Sequence, residues 1–253
     1  MGHAFLATTR HAAGDPFRYH GGFRNSPDAK KLNDKQLDSV IKSLRDKSGF
    51  LEIGFDENGF LTLGDRSKFA GGSTTARELL SATVETNSAV DLEAHNNSPV
   101  VAFARLAKPT IYHSRATGRS IDVYPIEIDF SDFSKLRGDK KVLAAFDIGF
   151  VILHELGHAV LGLRDALNES QGVGECEEYI NRIRRELNLP ERQNYIARTH
   201  LSLISTSLKS IQRAELFFTD SGDKARKLAL SWEAPLVGPV KQYLPSIAKG
   251  REN

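Results

Sequence analysis

The spacing of apolar positions changes several times along the chain, and each change predicts an element. Leu32, Leu37, Val40, Ile41 and Leu44 recur at helical intervals, which predicts a short amphipathic helix over residues 33–47. Two alternating stretches, Phe50–Phe55 and Phe60–Leu63, flank the sequence Asp-Glu-Asn-Gly and predict a hairpin. Thr75 stands three residues before Glu78, the signature of a capping box, ahead of a helix of about three turns. Residues 99–106 (PVVAFARL) and 119–130 (RSIDVYPIEIDF) read as strands, and Pro125 argues for an edge position or a bulge in the second. From Asp139 to Leu163 the pattern is helical and largely apolar, so it predicts a buried central helix that Gly162 ends. Glu175 to Leu189 predicts a second helix, stopped by Pro190. AELFFTD and ARKLALSW then form a hairpin with its turn near Ser221-Gly222, and the proline-containing tail from Glu233 drapes over the surface. Residues 1–30, rich in Gly, Pro, Asn and Asp, read as an irregular arm, and residues 31–253 as one domain. The expected class is α+β, with a small, mostly antiparallel sheet before the central helix and a second helix behind it.

Composition narrows the function. A chain of 253 residues with 40% hydrophobic content builds one sizeable core. The net charge is +2 and no run of five like charges occurs, which argues against a nucleic-acid partner. Arg182, Arg184 and Arg185 are balanced by Glu177, Glu178 and Glu186, a pattern that predicts a solvated helix face. The single cysteine, Cys176, forms no intramolecular disulfide and reads as a small apolar filler. The N-terminus lacks the continuous apolar stretch of a classical signal peptide. The expected location is therefore cytoplasmic, or outside the cell by another export route. The apolar run Val142–Leu163 is interrupted by Asp147, His154, Glu155 and His158, which argues against a membrane span.

Those interruptions carry the chemistry. His154 and His158 in VILHELGHAVLGL lie four residues apart, so on a helix they project from one face and two imidazoles reach one ion. Glu155 is turned about 100° from His154, where it reaches a water beside the metal without occupying it. This is the content of the H-E-x-x-H pattern: two neutral imidazole ligands and a general base. Buried without partners, the three polar side chains would cost several kcal/mol. A metal ion would offset that cost, and so would a satisfied polar cluster.

A catalytic zinc needs a third protein ligand and an open position. The metzincin spacing requires glycine three residues after His158 and histidine three beyond that. Leu161 and Arg164 stand there instead. The remaining candidates are Glu175, Glu177 and Glu178 on the second helix, whose apolar stripe is Cys176, Ile180, Ile183 and Leu187. Glu178 points away from that stripe. Glu177 and Glu175 flank it, and Glu177 is favoured because Asn181 follows one turn later, where it would hold a histidine ring.

HELGH with a glutamate on a following helix resembles the gluzincin metallopeptidases, in which H-E-x-x-H is followed, at least about eighteen residues on, by E-x-x-x-D. Asn181 stands where that pattern has Asp. The run YINRIRRELNLPERQNY is also similar to a segment of metallopeptidase domains in bacterial polymorphic (Rhs-type) toxins and effectors. The matching residues are Asn181, Ile183, Arg184, Glu186, Leu189, Pro190, Arg192 and Tyr195. Together the two resemblances cover residues 139–195. They imply a zincin-like fold and a zinc metalloendopeptidase acting on a peptide or protein substrate, as an effector or toxin. His154, His158 and Glu177 would hold Zn²⁺, Glu155 would take and return the proton of a metal-activated water, and Tyr195 would steady the oxyanion. An extended substrate would lie along a sheet edge supplied by residues 99–106 or 121–130. The competing expectation is a zinc-stabilised binding or regulatory module without hydrolysis.

Overall fold

The computed structural model describes residues 8–11, 20–113, 118–168, 172–203 and 210–238. Three sheets and six helices make up the described chain. In order they are β1 (Thr8–His11), β2 (Gly22–Asn25), α1 (Asp34–Ser48), β3 (Gly54–Phe55), β4 (Leu61–Thr62), α2 (Thr74–Glu85), β5 (Ala89–His95), β6 (Ala104–Leu106) and β7 (Thr110–His113). There follow β8 (Ser120–Asp129), α3 (Phe130–Phe133), β9 (Arg137–Gly138), α4 (Lys140–Ala145), α5 (Ile148–Leu161), α6 (Gly174–Glu186), β10 (Glu191–Arg192), β11 (Arg198–Leu203), β12 (Ser210–Thr219) and β13 (Lys227–Glu233). The α+β class holds in this coarse sense.

The large sheet runs β1-β7-β8-β5-β2, with β6 beside β8 in line with β7. It is mixed rather than mostly antiparallel: β1·β7, β2·β5 and β5·β8 are parallel, while β6·β8 and β7·β8 are antiparallel. Helices α1, α2, α5 and α6 pack with one face of it around Phe23, Leu44, Leu80, Ile126, Ile128 and Leu153. A second core lies between α4 and the β12–β13 pair, around Phe103, Phe146, Phe218, Leu230 and Trp232.

Several expectations are corrected. Residues 8–11 and 22–25 of the supposed arm are strands of the large sheet, and Phe23 and Arg24 are buried there, with Arg24 paired to buried Asp91 at 2.6 Å. Such short strands are specified by distant partners rather than by local alternation, so the pattern along the chain misses them. The N-cap of α2 is Ser73, which accepts from Ala76 N–H, not Thr75. Thr75 instead donates to Glu186 of α6 at 2.6 Å. The tail folds in as far as Val237, which is buried with Ala234. Pro125 lies in an interior strand, between β5 and the β6/β7 row. Its carbonyl accepts from Ala107 N–H at 2.8 Å, so its missing N–H faces the junction where β6 ends and no ladder bond is broken.

The apolar run divides at Phe146–Asp147. Asp147 caps α5 by accepting from Phe150 N–H at 3.1 Å and pairs with buried Lys47 of α1 at 2.5 Å. Residues 140–161 are long and apolar enough to cross a membrane by length and composition, yet 67% of the most apolar window is buried within the protein. Every residue from Gly149 to Gly157 is buried. This helix carries His154, Glu155 and His158.

Candidate metal centre

His154 and His158 lie one turn apart on α5, and their Nε2 atoms approach to 3.1 Å. Asp165 completes the group, with Oδ1 3.1 Å from His154 Nε2 and Oδ2 3.2 Å from His158 Nε2. Three donors around a tetrahedral ion at zinc-type bond lengths would stand about 3.3 Å apart. Asp165 Oδ1 is buried and finds no well-directed hydrogen bond among the described residues despite its closeness to His154. An unpartnered carboxylate oxygen crowded against two facing imidazole nitrogens is what a shared cation would reconcile, so the residues fit a divalent ion held by two nitrogens and one oxygen.

The turn after α5 builds this site. Gly162 adopts a left-handed conformation (φ 67°), and the chain reverses over the last turn of the helix. Leu163 thereby presents its carbonyl to His158 Nδ1 at 2.6 Å. That contact places the proton on Nδ1 and leaves the Nε2 lone pair for a metal. Two residues on, Asp165 faces both imidazoles. A bridge to Gly174 fixes the loop, and Arg164 accepts from Cys176 N–H at 3.0 Å.

Glu177, the expected third ligand, is not brought to the Nε2 atoms. It is 1% exposed and held by Arg184 and, at 2.9 Å, by Arg192. It meets His154 on the Nδ1 side, at 3.4 Å, away from the Nε2 atoms. It is the carboxylate nearest that nitrogen, the place that the sequence suggested for Asn181, but at this distance and direction His154 Nδ1 makes no hydrogen bond. Asn181 instead accepts from Arg184 and from Arg192 N–H, both at 2.8 Å, and bonds no histidine. Arg184 is not on a solvated face either. It is 1% exposed, with its guanidinium over Phe150 and Phe218. Glu175 accepts from Arg164 N–H at 3.2 Å and Glu178 pairs with Arg185, so neither approaches the imidazoles.

Tyr195 is brought to the centre. Its ring stacks on His154, 5.8 Å between centroids, and its hydroxyl donates to Asp165 Oδ2 at 2.5 Å. Its hydroxyl proton is thus engaged by Asp165 in this structure. Arg192 steadies the same turn through the Tyr195 carbonyl at 2.5 Å. Cys176 Sγ donates to the His154 carbonyl at 3.1 Å and lies within 4.8 Å of the histidine and aspartate donor atoms.

Glu155 accepts from Leu106 N–H at 2.7 Å, which ties α5 to β6. Phe103 and Ala107 turn their backbone groups to β8, so Ala104 and Leu106 turn theirs to the open side. Residues 104–106 therefore form the strand beside the site. Residues 121–130, the other candidate edge, are interior. A cavity of about 490 Å³ opens between this strand, the His154 imidazole and the second core.

The electrostatics follow from these contacts. Burial works against charge on His154, but Asp165, Cys176 and Glu177 outweigh it and raise its pKa well above the ordinary value. His158 is likewise opposed by burial and raised by Asp165, to about 10. Burial raises Glu155. Glu177 is driven well below the usual carboxylate range, because the Arg192 and Arg184 charges overcome its burial.

Asp165 is the candidate ligand that the sequence reading passed over. Its signal was a carboxylate just beyond a helix-ending glycine, one residue after the position tested for a histidine. Compared with known protein families, curated proteins and solved structures, the chain gives no match.

Proposed function

We propose that the protein is a zinc-dependent peptide hydrolase of zincin-like design, with His154, His158 and Asp165 as ligands and Glu155 as general base. The observation that carries this reading is the convergence of both Nε2 atoms and the Asp165 carboxylate within 3.1–3.2 Å, one residue from a buried glutamate. Two imidazoles and a carboxylate form a donor set suited to zinc. When bound, the ion supplies a Lewis acid for a peptide carbonyl and acidifies a water.

The chain's own residues supply the rest. Glu155, whose pKa burial raises, takes the proton of the attacking water and delivers it to the leaving amine. Leu106 N–H anchors the Glu155 carboxylate, and Tyr195 holds Asp165 in place. The outward N–H and carbonyl of Ala104 and the outward carbonyl of Leu106 pair with an extended peptide as an added strand. The toxin-like run of residues 179–195 supports an effector or toxin as the biological setting.

Glu155→Gln tests the mechanism. The expected result is retained zinc with cleavage of a peptide library reduced by 100-fold or more, as is usual for loss of a general base. Undiminished cleavage contradicts it. Cys176 favours a second reading, because a fourth protein donor would close the site and leave a structural zinc without hydrolysis. Under the hydrolytic reading, Cys176→Ser keeps both metal and activity. Loss of zinc from that variant supports the closed site.

A further inference from the structure

Beside the paired histidines the cavity runs into the second core, where its wall is aromatic. Phe103, Phe146 and Trp232 all border it. Phe103 packs edge-on against Phe146 and against Trp232, each at 5.1 Å between centroids. Its backbone lies at φ 62°, a conformation that an aromatic residue rarely adopts. The strain is held by two buried groups: Asp132 accepts the Phe103 N–H at 3.0 Å, and the Phe103 carbonyl accepts from Asp129 N–H at 2.8 Å. Strain maintained beside a site points to an arrangement kept for binding.

Trp232 is 4% exposed, and its indole N–H has no acceptor among the described residues. Buried donors are seldom left so. We infer that this cavity is a side-chain pocket for a large aromatic ring carrying a hydrogen-bond acceptor, with the ring against Phe103 and Phe146 and the acceptor on Trp232. As the specificity pocket of a hydrolase it rests on the reading above. As a binding site it does not.

Trp232 is the only tryptophan in the chain, so a single indole N–H resonance reports on the cavity. The test titrates the purified full chain, with and without zinc, with p-cresol and with toluene. The expected result is a saturable shift of that resonance, with p-cresol bound about fivefold more tightly, the worth of one net hydrogen bond. Calorimetry on Trp232→Phe should find the two probes bound alike, and Ala197→Phe, which fills the cavity, should weaken both. An unmoved indole resonance, equal affinities in the wild type, or full binding by Ala197→Phe overturns the inference. Because no turnover is read, failure of the Glu155→Gln test would leave a positive result standing, and the reverse holds too.

Discussion

Asp165 and Glu177 are both carboxylates near His154, and their surroundings separate them. Glu177 faces two guanidinium groups and the Nδ1 side of the ring. Asp165 faces both Nε2 atoms. A carboxylate neutralised by two arginines is a weak ligand. The same contacts fix a pH dependence. Without metal, His154 and His158 are both raised above their usual values, and their Nε2 atoms face each other at 3.1 Å, so the pair holds a proton between them at neutral pH. Coordination requires them neutral. Zinc binding near pH 7 is therefore expected to release at least about one proton per ion, and apparent affinity should climb as pH rises from about 6 to 9. Calorimetry in buffers of different ionisation heat measures the release, and less than one proton would contradict it. HELGH made the two histidines and Glu155 legible in the sequence. Asp165 was not, because its role depends on a chain reversal at Gly162 that no helical spacing encodes.

At the scale of elements, the site depends on how closely α5 and α6 approach. A Cβ placed on Gly157 would lie 2.9 Å from Cys176 Sγ, and Cys176 is fully buried. Alanine at Gly157 would gain about 1 kcal/mol of helix propensity. Overpacking at that contact costs about 1–3 kcal/mol. Gly157→Ala alone should therefore lower stability by about 1 kcal/mol, whereas in a Cys176→Ala background the same change should be neutral or stabilising. Denaturant unfolding of the four proteins closes the cycle, and additive effects would contradict the contact. Helices α1 and α6 were legible because each carries an apolar stripe of several turns. The central run was legible as a helix, but its division at Asp147 was not, since the cap answers to Lys47 from α1. Strand β6 was shorter than expected because Phe103 leaves the extended conformation.

For the whole molecule, the α+β class could be read from the order of patterns, but the mixed sheet could not. Strands β1 and β2 join it through partners about 100 and 67 residues away, Thr8 with Thr110 and Gly22 with Ala89. The consequence is a layered frame in which helix α5 lies beneath the sheet, β6 borders the site, and the β12–β13 core closes the cavity. Zinc bound only by the folded chain should raise its melting temperature, and metal removal should lower it. The measurement that bears most directly on the central claim is zinc content after dialysis for three proteins: wild type, Asp165→Ala and Glu177→Gln. The account predicts one zinc per wild-type chain, none retained by Asp165→Ala, and retained zinc with affinity weakened about 10–100-fold in Glu177→Gln. Zinc retained by Asp165→Ala and lost from Glu177→Gln would contradict it.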